Sequence, residues 1–140
     1  PMGFRDKAGF EAFSNTLTSR IQAVDPNAQL VLQGSSLPGR RFERSVDFKH
    51  SGEPFDVGRI SDYDVAIVSN SLHQKALDAR IPLGQGPLTQ AQIRALGLQD
   101  LASAAQAASL QHTGIAHEVH FKLYPENGLV STQTDLPLQR

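Results

Sequence analysis

Residues 34–61 form a long stretch rich in glycine, proline and charged side chains, and it separates two short apolar segments. Glycines and prolines recur along it after Gly34, at Pro38, Gly39, Gly52, Pro54 and Gly58. These residues interrupt helices and strands, and a loop of this length is uncommon in a compact domain unless it has a function. The flanking segments 29–33 and 63–68 are rich in β-branched and aliphatic residues, which predicts two strands separated by this loop.

The remaining segments alternate between helix signals and one further strand signal. Apolar residues spaced by three or four positions predict a first helix before Asp25-Pro26-Asn27, with one face formed by Phe10, Phe13, Leu17, Ile21 and Val24. Local signals predict three more helices: one capped by Ser69-Asn70-Ser71 to about residue 80, one from the Thr89-x-x-Gln92 box to Gly97, and one that Asp100 opens across the alanine-rich stretch to Leu110, before the break at Gly114.

Residues 115–124 alternate between apolar and polar side chains, which predicts a half-buried third strand, and residues 129–130 predict a short fourth one. This order of elements favours an α+β fold, in which a small mixed sheet carries helices on one face. A chain of 140 residues is expected to form a single domain over residues 1–140.

Composition excludes several classes of function. The net charge is −1, which argues against a protein that coats nucleic acid through bulk charge. No cysteine is present, so disulfides, thiolate metal sites and a cysteine nucleophile are excluded. No apolar run approaches the roughly 20 residues that a membrane span requires.

The triplet Asp62-Tyr63-Asp64 opens the second predicted strand and carries the clearest chemical signal. Residues two apart on a strand point to the same side, so the two carboxylates are expected to project together. Their repulsion is relieved by solvent or by a cation, and oxygen-only ligands suit Mg²⁺. Asp62 and Asp64 are therefore the candidate metal ligands.

A second signal follows the first predicted strand, where Gly34-Ser35-Ser36 begins the long loop. Glycine allows close approach of the backbone to a phosphate, and the following amides and hydroxyls can donate hydrogen bonds to its oxygens. Arg40 and Arg41 lie close behind in sequence and could reach a triphosphate.

Together these motifs resemble the nucleotidyltransferase superfamily, which includes the palm of DNA polymerase beta. The similarity lies in Leu32-Gln33-Gly34-Ser35 and in Ser61-Asp62-Tyr63-Asp64-Val65. It implies a minimal nucleotidyltransferase fold and Mg²⁺-dependent transfer of a nucleotidyl group from a nucleoside triphosphate. The implied acceptor is a hydroxyl group of RNA, with tRNA as the first candidate, or of a protein side chain.

The same family places a third acid on a neighbouring strand, which corresponds here to Val119-His120-Phe121-Lys122-Leu123. His120 occupies the acid's position, and Glu118 lies two residues earlier on the same predicted face. Glu118 is slightly favoured because Mg²⁺ prefers oxygen ligands, but both residues stay candidates. Lys122 and Arg59 are further candidates for contacts to phosphate.

The segments 34–42 and 54–64 also resemble toxin domains at the C-termini of bacterial polymorphic toxins, such as the filamentous-haemagglutinin-like effectors of contact-dependent growth inhibition. This resemblance implies that the domain is a C-terminal fragment of a larger secreted effector. It further implies action in the cytoplasm of a competitor cell and a cognate immunity protein as partner.

Two other functions stay open. A metal-independent ribonuclease toxin would use His120 with Lys122 or His117 as acid and base. A catalytically inactive nucleotide-binding or protein-binding module would show no turnover. The run His117-Glu118-Val119-His120 lacks the spacing and the helix of the zinc signature, so zinc is not expected.

Overall fold

A computed structural model of the protein describes residues 7–33, 63–84, 86–128 and 136–137. The elements follow in the order α1 (Lys7–Gln22), β1 (Gln29–Gln33), β2 (Tyr63–Val68), α2 (Asn70–Asp78), α3 (Gln90–Ala95), α4 (Leu101–Thr113), β3 (Val119–Tyr124) and β4 (Leu136–Pro137). The predicted α+β class is confirmed. The predicted strand at residues 129–130 lies outside the described residues.

The strands form one mixed sheet in the order β3-β2-β1-β4. Strand β1 runs antiparallel to both β2 and β4, whereas β2 and β3 are parallel. A parallel pair requires a crossover connection, and here the helices α2, α3 and α4 lie between the two strands in the chain. β2 therefore has a neighbour on each side, and β3 lies at one edge of the strands that the structure describes.

One face of the sheet packs against the helices. A single core cluster joins buried residues of all four helices to alternate residues of the strands, such as Leu32, Val65 and Phe121. This arrangement confirms the predicted placement of the helices on one face. Four of the five residues predicted for the apolar face of the first helix are buried on α1. The fifth, Val24, lies beyond the end of the helix and is 39 % exposed.

The predicted cap residues at α2, at α3 and at the end of α4 are confirmed, whereas Asp100 precedes α4 without a capping hydrogen bond from its side chain. Thr89 and Gln92 form a reciprocal capping box at α3, and Gly114 ends α4 in the left-handed conformation with φ of 82°. At α2, the Ser69 hydroxyl accepts a hydrogen bond from the Leu72 backbone N–H at 3.0 Å. The third predicted strand is shorter than residues 115–124, because regular pairing begins only at Val119.

Ser69 also ties the start of α2 to the end of α1. Its hydroxyl donates a hydrogen bond of 2.5 Å to the carboxylate of Asp25, which is buried. This bond is the main cause that lowers the pKa of Asp25 below 3.8, against the opposing effect of burial, and the Asn27 backbone N–H adds to the lowering. The carboxylate is therefore stabilised in its charged form by the folded state.

Replacing Ser69 by alanine is expected to lower the free energy of unfolding by about 1–3 kcal/mol, because both the cap and the Asp25 partner are lost. A folded-state pKa below the unfolded one adds stability that is complete above the unfolded pKa and is lost as pH falls through the folded pKa. As pH falls below about 4, the free energy of unfolding measured in urea should therefore decrease less in Ser69→Ala than in the wild type. Ser103→Ala, at an exposed position on α4, is the control that should keep the wild-type slope. Equal pH slopes in Ser69→Ala and the wild type would contradict the assignment.

Candidate functional site

The second face of the sheet carries an Asp–His pair where β2 and β3 begin. Asp64 is the register partner of His120 on β3 and of Gln33 on β1. The His120 Nδ1 atom lies 3.8 Å from an Asp64 carboxylate oxygen. The side chains of His120 and Asp64 are 33 % and 46 % exposed, so a ligand in solvent has access to both.

Glu118 contacts the other side of the same imidazole. Its carboxylate oxygen lies 3.9 Å from His120 Nε2, and its side chain is 71 % exposed. Glu118 precedes the first residue of β3, although its carbonyl accepts a hydrogen bond from the Tyr63 N–H at 2.9 Å. Of the two residues predicted for the third position, His120 is therefore the one beside Asp64, with Glu118 next to it.

The arrangement is suited to proton transfer. An imidazole accepts and donates protons near neutral pH, and neighbouring carboxylates orient the ring and stabilise its charged form. Both ring nitrogens of His120 face a carboxylate at just under 4 Å, longer than a hydrogen bond. In unliganded sites such contacts are often long and shorten when a substrate binds.

Lys122 lies two residues after His120 on the same face of β3, and its side chain is exposed. Its register partner, Ala66, is buried, as is Val31 on β1, so part of this second face is shielded from solvent. Lys122 lines a cleft of about 330 Å³ together with His73 and Tyr124. An ammonium group at this position is able to contact a phosphate bound beside His120.

His117 does not share this surface. Its side chain is fully buried, and its ring centroid lies 4.6 Å from that of Tyr63, which is also buried. His117 and His120 thus lie in different environments, which removes His117 as an acid–base partner. Within residues 7–33, 63–84 and 86–128, no group of three histidine or acidic side chains is arranged to hold a metal ion.

Most residues of the predicted phosphate site lie outside the described part of the chain. These are Gly34, Ser35, Ser36, Arg40, Arg41 and Arg59, and with them the first predicted metal ligand, Asp62. The covalent neighbours of two of them are described. Gln33, which precedes Gly34, and Tyr63, which follows Asp62, lie on adjacent strands next to Asp64.

A cleft of about 400 Å³ lies beside the Asp–His pair at the edge of β3. Glu118 and His120 line it from β3, and α3 and α4 contribute Gln90, Ser103 and Gln106. None of these three polar helix residues was predicted as a site residue. They belong to no motif, and their approach to β3 depends on how the helices pack on the sheet.

Comparisons with known proteins return no relative. No protein-family model matches the chain, and neither a curated protein nor a solved structure matches it significantly. Among the described residues, no helix is long and apolar enough to cross a membrane.

Proposed function

We propose that this domain is a Mg²⁺-dependent nucleotidyltransferase, which transfers a nucleotidyl group from a nucleoside triphosphate to a hydroxyl group. The first candidate acceptor is RNA, especially tRNA, and the second is a protein side chain. The observation that carries the proposal is the pairing of Asp64 with His120 on the second face of the sheet, next to the strand end that leads into Gly34-Ser35. A carboxylate and a base lie side by side there, within reach of solvent.

The half-exposed Asp64 carboxylate is a hard oxygen donor that fits Mg²⁺, and Asp62 is the second ligand in this proposal. When bound, the ion would supply charge neutralisation for the triphosphate. One carboxylate and water suffice for Mg²⁺, which usually keeps several waters and binds substrate phosphates. A dedicated cage of three protein ligands is therefore not needed for this chemistry.

The transfer step assigns a role to His120. The acceptor hydroxyl oxygen forms a bond to the α-phosphorus, while the bond from that phosphorus to the bridging oxygen breaks and pyrophosphate leaves. The hydroxyl proton passes to the Nε2 atom of His120, and Asp64 beside Nδ1 stabilises the resulting imidazolium. Lys122, with Arg40, Arg41 and Arg59, offsets the charge of the phosphates, and Gly34, Ser35 and Ser36 cradle them.

A ribonuclease that needs no metal is the second candidate, because the His120 ring lies between two carboxylates. Such a ring can remove the proton of a ribose 2′-hydroxyl and return it to the leaving oxygen. Because His117 is buried, Lys122 is the candidate among the described residues for the second acid–base group. This activity would persist in EDTA and would be lost in His120→Ala.

The two candidates are separated by one incubation. The purified domain is mixed with α-³²P-labelled nucleoside triphosphates and total bacterial RNA and protein, with Mg²⁺ or with EDTA. Label on RNA or protein that disappears in EDTA supports nucleotidyl transfer. RNA fragments that form in EDTA support the ribonuclease. Intact RNA and no label in either condition would overturn both and favour an inactive binding module.

The cellular context is proposed on the toxin resemblance. The domain would act in the cytoplasm of a competitor bacterium, as part of a larger secreted effector, and a cognate immunity protein would block it. Expression in a bacterium that lacks this partner should arrest growth. Mass analysis of tRNA from the arrested cells would then show added nucleotides, cut strands or unchanged molecules.

A further inference from the structure

The cleft beside His120 has the composition of a small-molecule site. Its volume of about 400 Å³ lies within the range of roughly 300–1,000 Å³ that is typical of ligand pockets. Apolar side chains form part of its wall, among them Leu88, Ile93 and Phe121. Glu118 and His120 are the titratable groups among the described residues that line it, so the rest of the wall is neutral.

Two carboxamides on the wall are positioned by the backbone. The Gln90 side-chain N–H donates to the Gln99 carbonyl at 3.3 Å, and that of Gln106 donates to the Ala116 carbonyl at 3.5 Å. Each bond uses one N–H, so the amide oxygen and the second N–H stay able to bind a ligand. A carboxamide pairs with a planar group that carries a hydrogen-bond donor next to an acceptor. Glutamine side chains recognise nucleobases through this pairing.

The strand edge adds backbone groups to the same cleft. Among the described strands β3 lies at the edge, and the Leu88 N–H donates to the Phe121 carbonyl at 2.7 Å on the side away from β2. Alternate residues of a strand direct their backbone groups to the same edge, so Val119 presents its N–H and carbonyl to the cleft. The edge of a heterocycle can pair with such groups as well as with amide side chains.

We propose that this cleft, formed by α3, α4 and the edge of β3, binds the nucleobase of the donor nucleotide. The inference rests on the proposed nucleotidyltransferase function, because it needs the triphosphate to lie on the second face of the sheet. His120 lines the cleft and also pairs with Asp64, so one side chain joins the neutral cleft to the charged site. The base would lie in the cleft and the phosphates outside it.

The test is to fill the cleft and measure binding of ligands with and without a base. Ser103 is exposed and lines the cleft, so Ser103→Trp should block it without disturbing the core. Ala107, one turn further along α4, is exposed and does not line the cleft, so Ala107→Trp is the matched control. NMR titrations would use the four ribonucleosides, their triphosphates and inorganic tripolyphosphate, without metal.

We expect at least one nucleoside and its triphosphate to bind about tenfold or more weakly to Ser103→Trp than to the wild type or Ala107→Trp. Tripolyphosphate, which lacks a base, should bind all three proteins equally. Gln106→Ala, a second and smaller change, should weaken binding of the same nucleoside by about three- to tenfold.

Each result separates this inference from the proposed function. Nucleoside binding that Ser103→Trp removes supports the base site, even in a protein that fails to transfer nucleotides. Transfer or triphosphate binding that is equal in Ser103→Trp and the wild type would overturn the base site and leave the nucleotidyltransferase proposal standing. A wild-type protein that binds neither nucleosides nor triphosphates in these titrations would also overturn the base site. The nucleotidyltransferase proposal is decided separately, by the transfer of label in the presence of Mg²⁺.

Discussion

Replacing Asp64 by asparagine is expected to reduce nucleotidyl transfer by at least about a hundredfold, while the protein stays folded. Asparagine keeps the shape of the side chain and removes the negative charge beside the His120 ring, which in the proposed function would also hold Mg²⁺. The Asp64 side chain is half-exposed, so the cost to the free energy of unfolding should stay below about 1 kcal/mol. Transfer of labelled nucleotide and urea unfolding, measured on the same preparation, separate the two effects.

The matched control for this variant is Asp78→Asn. Asp78 is an exposed carboxylate near the end of α2, and it accepts a hydrogen bond from Gln74 at 2.9 Å. Loss of the same charge there should leave the rate of transfer unchanged. Wild-type transfer rates in Asp64→Asn would rule out a role for this carboxylate and, with it, the proposed metal site.

Replacing Phe13 by alanine is expected to lower the free energy of unfolding by about 3–5 kcal/mol. The Phe13 side chain is fully buried in α1, and its ring centroid lies 5.7 Å from that of Tyr63 on β2. Truncation removes the apolar contacts and leaves a cavity between helix and sheet. Because a domain has only about 5–15 kcal/mol of net stability, this one change removes a large share of it.

Denaturation in urea, followed by far-ultraviolet circular dichroism, measures the effect through the midpoint. Leu110→Ala provides the comparison, because Leu110 on α4 is 52 % exposed and its truncation should change stability by no more than about 0.5 kcal/mol. A Phe13→Ala protein with the same midpoint as Leu110→Ala would show that the contact between α1 and β2 does not stabilise the fold.

Local patterns were sufficient to predict most elements. The boundaries of β1 and β2 follow from short apolar runs with clear ends, and the Thr89 box and Gly114 mark helix ends through hydrogen bonds made within a few residues. β4 was missed because Leu136–Pro137 has no strand signal of its own, and its pairing with β1 depends on residues far away in the chain. The spacing of Val24 fits the apolar face predicted for the first helix, but α1 ends at Gln22, before this residue.

The site was predictable only where one strand carries it. Alternation along β3 separated His120 and Lys122 from the core residues, and this separation is observed. The partner of Asp64 depends on the register between β2 and β3, which no local pattern contains. The cleft residues Gln90, Ser103 and Gln106 come together only through tertiary packing, so the chain offers no spacing from which to predict them.

The parallel pairing of β2 with β3 also determines when the site can exist. Asp64 and His120 meet only after the chain has closed a loop that contains three helices, and such non-local contacts carry the entropic cost of loop closure and form more slowly than local ones. Helices that have formed alone, or a collapsed chain without this strand pair, would lack the Asp64–His120 contact. Catalysis would thus require the complete parallel strand pair and not only the secondary structure of each element.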